Sequence, residues 1–189
     1  MRTVAANTNI DFQSQQTIQT AGDLALSRRC ITFRPDEFVD VILPVLQNSR
    51  EGAAGVLDDE GNLIGLLTER QILRQVFMKA VDPAINPANL RKYIQDMTVS
   101  QAMIPYPETL DEDIDIEEAV GIMLRHGYRF MPVVSKADRQ HLLGVVSEQE
   151  MALHLKKRLQ KARQSEEEAK SLLFSMLHEP YGTGVALSQ

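Results

Sequence analysis

The sequence predicts an α/β protein of the α+β kind. In it, two copies of a small three-stranded sheet with helices pack as a pseudo-two-fold pair, and a C-terminal helix follows. The first observation is an internal repeat: residues 33–57 align with 110–134 in their apolar register, and residues 63–69 align with 142–148. The second is that each copy alternates helically spaced apolar positions with short apolar runs. The third is composition, since 43% of the 189 residues are hydrophobic, which is enough for a sizeable core.

The predicted domain boundaries follow changes of composition along the chain. Residues 1–16 are polar and rich in Gln, Thr and Asn, which is typical of an arm. The first repeat is expected at 17–80. Two prolines end its last helix, and a linker helix is expected at 81–95. The second repeat is expected at 96–155 and a C-terminal helical extension at 156–189.

Each repeat is predicted to contain a strand, a helix, a strand, a hairpin turn, a strand and a helix. The spacing of Val39, Ile42 and Leu46 favours the first helix, and Thr68 and Ser147 are suited to cap the last one. From the first helix onward, the elements of the first copy are expected at 36–48, 54–57, 58–62, 63–67 and 69–79. Those of the second copy are expected at 113–126, 131–134, 135–140, 142–146 and 148–157.

A heptad-like apolar stripe follows the second repeat, on a long charged helix that Pro180 ends. The stripe consists of Leu155, Leu159, Ala162, Glu166, Ala169, Leu173 and Met176. A coiled coil built on it is predicted to be weak because Glu166 lies in the seam. We expect the helix to contact a second copy of the chain or an effector protein, with folding back onto its own repeats as the alternative.

Composition disfavours several classes of protein. Lys and Arg number 20 against 26 Asp and Glu, so the net charge is −6, and the chain has no Trp, which disfavours nucleic-acid binding. A single cysteine, Cys30, excludes an internal disulfide framework and a multi-cysteine metal site. Apolar runs stay far below the roughly 18 residues of a membrane span. We therefore expect a cytoplasmic protein without membrane contact.

Each copy carries the same short motif where its last strand ends. The motif is Leu63–Gln71 in the first copy and Leu142–Glu150 in the second, preceded by the apolar runs Gly55–Leu57 and Met131–Val134. With these motifs the repeat resembles the CBS domain, named after cystathionine β-synthase, which usually occurs as a tandem pair called a Bateman module. The resemblance covers about residues 17–155. It implies a regulatory module that binds an adenine nucleotide or another adenosyl ligand between the repeats and commonly forms a homodimer.

The resemblance also implies which side chains bind the ligand. In the family, a Ser or Thr hydroxyl meets phosphate, and an Asp three residues later accepts hydrogen bonds from the ribose hydroxyls. Gln71 and Glu150 replace that Asp here. The candidate ligand-binding residues are Thr68, Arg70, Gln71, Tyr128, Arg129, Ser147 and Glu150.

The second copy is expected to bind the ligand better than the first. Glu150 keeps the carboxylate charge that Gln71 loses, and Tyr128 and Arg129 supply an aromatic ring and a cation in the same copy. Arg129 is the first choice, and Arg70 the second, for holding phosphate on an acidic protein. AMP, ADP or ATP is expected as a regulatory ligand, with no cofactor required.

Two alternatives remain beside ligand sensing. The substitutions at Gln71 and Glu150 permit a scaffold with degenerate nucleotide sites that serves homodimerisation and binding of an unknown effector protein. A nucleotide-processing enzyme is weaker, because no histidine motif accompanies Cys30 as a base. The acidic run Asp111–Glu118 fits a helix start better than a calcium loop, since the Gly and Glu of that loop are missing. No catalytic or metal-binding residue is predicted.

Overall fold

The structure is a computed structural model that describes residues 18–49, 52–83 and 86–178, without the side chains of Pro87 and of residues 176–178. The arm predicted at 1–16 and the helix end predicted at Pro180 lie outside the described residues. The expected fold class is confirmed: two small mixed sheets carry helices, and a long C-terminal helix follows them.

The described helices include the two predicted for each repeat, a linker helix confined to 90–96 where 81–95 was predicted, and two short helices, at 21–26 and 99–102, that were not predicted. They are α1 (Ala21–Leu26), α2 (Val39–Asn48), α3 (Glu69–Ala80), α4 (Leu90–Asp96), α5 (Val99–Ala102), α6 (Ile116–His126) and α7 (Glu148–His178), with a 3₁₀ turn at Pro87–Asn89. The helix predicted at 148–157 and the charged helix after it form one element, α7, without interruption.

The first sheet contains β1 (Thr32–Phe33), β2 (Ala53–Leu57), β3 (Leu63–Thr68) and β4 (Ile104–Pro105), in that order. β1 runs parallel to β2, and the other neighbours are antiparallel. The sheet has one strand more than the three predicted, because β4 arrives from the start of the second repeat and pairs with β3.

The second sheet repeats the pattern of the first. β5 (Leu110–Asp111) runs parallel to β6 (Phe130–Val134), which is antiparallel to β7 (Leu142–Ser147). The register of the central pair shifts between Val133 and Val134, as it does between Val56 and Leu57 in the first sheet. The shared irregularity confirms that the two units are structural copies.

The two repeats exchange their leading helices. The core of the second repeat includes Ala21, Leu24 and Ala25 of α1, whereas the core of the first repeat includes Val99 and Ala102 of α5. Each sheet therefore buries its apolar face with help from the other repeat, and the pair forms one globule.

A close backbone approach fixes α1 on the second repeat. The backbone N–H groups of Ala21 and Gly22 each donate a 2.9 Å hydrogen bond, to the carbonyls of Ile114 and Glu112. A Cβ on Gly22 would lie 2.6 Å from the Glu112 carbonyl oxygen, so only glycine fits without displacement. Thr20 caps α1 through a reciprocal capping box with Asp23.

The acidic run before α6 is a helix start, as predicted. Asp115 caps α6 by accepting a 2.7 Å hydrogen bond from the backbone N–H of Glu117. Its carboxylate also accepts hydrogen bonds from the Arg158 guanidinium at 2.7 and 3.1 Å, which ties α7 to α6. These bonds hold the pKa of Asp115 below its ordinary value.

The stripe on α7 is buried unevenly among the residues whose side chains the structure describes. Leu155 is half-buried against the core of the second repeat, whereas Leu159 and Leu173 are 50% and 59% exposed. Among the described residues, no helix combines the length and apolar character that crossing a bilayer requires. The intermolecular contact expected of this helix stays a prediction.

Candidate ligand-binding site

A cleft of about 810 Å³ lies where the two repeats meet, and we call it the first cleft because the motif of the first repeat lines it. The first repeat contributes the start of α3. The second contributes the segment between β4 and β5 and the loop that leads into β6. The polar and aromatic residues that line it are Thr68, Glu69, Arg70, Gln71, Arg74, Tyr106, Glu108, Tyr128, Arg129 and Phe130.

Thr68 occupies the junction between β3 and α3. Its side-chain oxygen accepts a 3.1 Å hydrogen bond from the backbone N–H of Gln71, and the residue is only 9% exposed. The hydroxyl serves the cap as an acceptor and can still donate its own hydrogen to a ligand. Because the first turn of this 12-residue helix lines the cleft, its positive dipole end favours an anion there.

Cations outnumber anions in the first cleft. Arg70, Arg74 and Arg129 line it together with Glu69 and Glu108. The excess of positive charge contrasts with the net charge of −6 of the chain. Guanidinium groups bind phosphate through paired hydrogen bonds, so the electrostatics of this cleft favour a phosphorylated ligand.

Tyr128 gives the cleft an aromatic wall. Its ring stacks on His126, with ring centroids 5.6 Å apart and planes 9° from parallel. Partial burial and the Glu108 carboxylate raise the pKa of the Tyr128 hydroxyl above its ordinary value. Both effects stabilise the protonated form of the hydroxyl.

Tyr106 stands at the rim of the same cleft. It is 85% exposed and has a positive φ of 47°, which non-glycine residues adopt at a cost. Its backbone N–H donates a 3.0 Å hydrogen bond to the carbonyl of Ile64, next to the pairing of β3 with β4. The strained position holds a second aromatic ring beside the opening.

The motif of the second repeat has different surroundings. The Ser147 hydroxyl donates a 2.7 Å hydrogen bond to Glu150 Oε2, and the backbone N–H of Glu150 donates a 3.3 Å bond back to the Ser147 oxygen. Arg28, just after α1, forms an ion pair with Glu150 Oε1. Arg28 also lines a crevice with Ala53 and Gly144 that is too narrow to admit a water molecule, and neither Ser147 nor Glu150 lines that crevice.

Glu150 is ionised despite its partial burial. Burial opposes the charge, but hydrogen bonds from Arg28 and Ser147 outweigh it and hold the pKa of Glu150 below its ordinary value. The Arg28 and Glu150 side chains are 23% and 29% exposed, so solvent screens the pair only in part. Both oxygens of the Glu150 carboxylate thus accept hydrogen bonds from side chains of the same chain.

The structure groups the predicted site residues differently from the sequence analysis. Tyr128 and Arg129 lie in the first cleft with Thr68, Arg70 and Gln71, not in an open cleft with Ser147 and Glu150. The second site was expected to bind better because Tyr128 and Arg129 were grouped with Ser147 and Glu150 of the same copy. This grouping was wrong. The packing of the repeats instead brings the start of β6 opposite the start of α3. That each side chain binds ligand stays a prediction.

The candidate ligand-binding residues named from the sequence leave out several residues that line these clefts, among them Arg28, Arg74, Tyr106 and Glu108. Arg74 lies one helical turn after Arg70, a spacing that could have been noticed. Tyr106 and Glu108 precede β5 outside the motif, and Arg28 follows α1 in a segment without any recognised pattern. For these three, the signal lies in the tertiary arrangement.

The family model described as "CBS domain" matches residues 21–77 and 99–157, which together form more than half of the chain. The chain belongs to the CBS domain family. The two matched stretches are the two units whose sheets and exchanged helices are described above. This pair of CBS repeats thus supplies both walls of the first cleft.

Several known proteins resemble the chain. Hypoxic response protein 1 from Mycobacterium tuberculosis is 31% identical over 104 residues, which are 55% of this chain and 63% of that protein. Overall, the chain spans 24% to 60% of the length of several curated relatives that it matches.

Solved structures share the fold at low sequence identity. The CBS-domain protein ATU1752 from Agrobacterium tumefaciens is 21% identical with a TM-score of 0.58, covering 77% of this chain and 98% of that one. A crystal structure of CBSX2 in complex with AMP is 22% identical with a TM-score of 0.53, covering 72% and 98%. CBSX2 is a CBS-pair protein from Arabidopsis thaliana.

Proposed function

We propose that this chain is a non-catalytic regulatory module that binds an adenine nucleotide in the first cleft. The observation that carries the proposal is the composition of that cleft: a capped helix N-terminus, three arginines and an aromatic wall converge on about 810 Å³ between the CBS repeats. The AMP complex of CBSX2, a protein of the same fold, supports this ligand class.

The lining residues divide into three roles. The Thr68 hydroxyl, the start of α3 and the arginines, with Arg129 foremost, meet the phosphates. The Gln71 amide holds the ribose hydroxyls with one acceptor oxygen and two donor hydrogens. Tyr128 and Phe130 provide an apolar and aromatic surface for the base.

Regulation follows from where the cleft lies. Both repeats line it, so a bound nucleotide contacts two bodies whose relative orientation it can bias. Such a ligand shifts the equilibrium only by its differential affinity for the two arrangements. We propose that this change of orientation alters the contact that α7 makes with a second copy of the chain, in a homodimer, or with an effector protein.

Calorimetric titration of the full chain with adenosine, AMP, ADP and ATP tests the proposal. We expect saturable binding that strengthens with phosphate, and a nucleotide that remains chemically intact after incubation. Arg129→Gln should weaken ATP binding about tenfold, which is about 1.4 kcal/mol, and adenosine binding much less. Arg163→Gln, which removes an exposed arginine on α7, is the matched control and should change neither.

A second variant tests the ribose role of position 71. Gln71→Asp restores the carboxylate that the family pattern has at this position, so it should strengthen adenosine binding. The same change should not strengthen binding of 2′-deoxyadenosine, which lacks the diol. If Gln71→Asp changed the binding of adenosine and of 2′-deoxyadenosine equally, residue 71 would not bind the ribose hydroxyls.

The scaffold alternative has its own supporting observations. Gln71 lacks the carboxylate in the first cleft, and the carboxylate of Glu150 is engaged by Arg28. If adenosine, AMP, ADP and ATP all fail to bind at millimolar concentration, the first cleft is no nucleotide site. The module then serves as a dimerisation and partner-binding scaffold.

A further inference from the structure

α7 is packed at one end and exposed over the rest of its length. Met151 is buried and Leu155 half-buried in the core of the second repeat, and Arg158 binds Asp115 at the start of α6. From Leu159 to Ser175, every side chain is exposed. We call residues 159–175 the exposed half of α7, and at 1.5 Å per residue they form a rod about 25 Å long.

Apolar side chains on the exposed half of α7 lack a cover within the described part of the chain. Leu159, Leu172 and Leu173 are 50%, 63% and 59% exposed. The small residues Ala162 and Ala169 lie between Leu159 and Leu173 on the stripe. Since a helix in water gains most of its stability from packing an apolar face, the exposed half of α7 requires a partner that covers the stripe.

The charges of α7 are divided by sign along its length, which indicates what that partner is. A basic block comes first, and an acidic block follows it: Lys156, Lys157, Arg158, Lys161 and Arg163, then Glu166, Glu167 and Glu168. In the part of the chain that the structure describes, Lys161, Arg163 and Glu167 form no ion pair. Two parallel copies of α7 would set each block against the same block, whereas two antiparallel copies set it against the opposite one.

One antiparallel register satisfies both the charges and the stripe. It places Leu155 opposite Leu173 of the second copy and Leu159 opposite Ala169, so that the apolar positions meet. Residues 156–163 then lie opposite residues 165–172 of the second copy, which contain the three glutamates. The cation in that segment, Lys170, is paired at 2.6 Å with Glu166 of its own helix.

We propose that the exposed half of α7 binds the same segment of a second copy of the chain, antiparallel and centred near Gln164. The inference names the partner that the proposed function leaves open, and it rests on that function only for the regulatory use of the contact. Glu166 lies within the seam, opposite Ala162 of the second copy, so the pairing is weak. A weak contact is one that a change in the orientation of the repeats can make or break.

Charge reversal with light scattering tests the pairing. The full chain should have at least twice the 21.2 kDa mass of one protomer. Lys161→Glu with Arg163→Glu makes both blocks acidic, and Glu167→Lys with Glu168→Lys makes both basic. Each double variant should associate about tenfold more weakly and show half the mass, whereas an equimolar mixture of the two should regain the mass of the unmutated chain.

A matched control changes the same charge elsewhere. Arg91 and Lys92 are exposed on α4, and Arg91→Glu with Lys92→Glu alters the net charge by as much as Lys161→Glu with Arg163→Glu does. This control should keep the mass of the unmutated chain. Circular dichroism at matched concentrations verifies that the repeats of each variant remain folded.

Cysteine cross-linking tests the orientation. Leu159→Cys and Ala169→Cys are each placed in a chain that carries Cys30→Ser, which removes the native thiol. In the antiparallel pair, residue 159 lies opposite 169, so a mixture of the two variants should form a disulfide on oxidation and neither variant should do so alone. In a parallel pair, each variant would cross-link with itself.

The outcomes separate this pairing from the nucleotide site. A monomeric full chain, an unchanged mass in both charge variants, or self-cross-linking of either cysteine variant would overturn the antiparallel pairing. Calorimetry with ATP on the same samples reports on the first cleft. A monomeric chain that binds ATP would overturn the pairing alone, whereas a paired chain that binds no ATP would support the pairing and overturn the proposed function.

Discussion

Arg28 and Glu150, 122 positions apart in sequence, form an ion pair that joins the segment after α1 to the start of α7. The pair links the segment after the exchanged helix of the first repeat to the motif of the second repeat that contains Ser147.

The pair is expected to stabilise the fold measurably. Because both side chains are less than one-third exposed, Arg28→Ala or Glu150→Ala should lower the free energy of unfolding by about 1–3 kcal/mol in urea titrations. The matched control is Lys170→Ala, which breaks a pair with Glu166 whose side chains are 72% and 65% exposed. That variant should change the stability by about 0.5 kcal/mol or less. Equal small effects would show that the Arg28–Glu150 pair adds no stability.

The stability contributed by Glu150 should depend on pH in a defined direction. The folded chain holds the pKa of Glu150 below its ordinary value of 4.5, so the unfolded chain binds more protons there in acid. The contribution is thus complete above the unfolded pKa and is lost as pH falls through the folded pKa. The difference in unfolding free energy between the unmutated chain and Glu150→Gln should be constant above about pH 6 and shrink in acid. A difference that grows in acid would contradict this assignment.

His154 offers a spectroscopic reporter of the pair. Burial lowers its pKa, the charges of Lys157 and Arg28 lower it further, and Glu150 opposes them. Arg28→Ala should therefore raise the pKa of His154, and Glu150→Gln should lower it, in NMR titrations of the imidazole protons. Lys157→Ala should raise it as well and serves as the positive control. If the Arg28 and Glu150 variants shifted the pKa of His154 in the same direction, the charges of these two side chains would not act directly on the imidazole.

The exchange of leading helices should depend on Gly22. A methyl group there would meet the backbone of Glu112 at 2.6 Å, and neither partner can move without disturbing both hydrogen bonds that anchor α1. Gly22→Ala should lower the unfolding free energy by about 1–3 kcal/mol. Gly121→Ala in α6 is the control. A Cβ at this position would meet only the flexible end of Arg125, at 3.2 Å. The substitution should therefore be neutral or raise the unfolding free energy by up to about 1 kcal/mol.

Local features of the fold follow from the sequence because they depend on neighbours along the chain. Thr68 starts α3 as predicted from its residue type. The hairpin turn after β2 forms because Asp58 Oδ1 accepts hydrogen bonds from the backbone N–H groups of Glu60 and Asn62, at 3.0 and 2.8 Å. Apolar spacing located the central strands and the long helices for the same reason. Because the same pattern of strands and helices occurs twice in the sequence, it also predicted a tandem pair of repeats.

The rest depends on which segments meet in space. The apolar residues of α1 have the same pattern whether they pack on their own repeat or on the other, so the exchange leaves no signal in the sequence. The same holds for Tyr128, which lies nearer in sequence to Ser147 but lines one cleft with Thr68 of the first motif. Arg28 lies in a segment whose polar residues are typical of a solvated loop. Only the folded structure shows that it pairs with Glu150.

A crystal structure of the full chain grown with excess ATP would show directly where the nucleotide binds. We expect nucleotide density in the first cleft, with phosphate at the start of α3 near Thr68 and Arg129. Nucleotide beside Ser147 with the first cleft empty would contradict it.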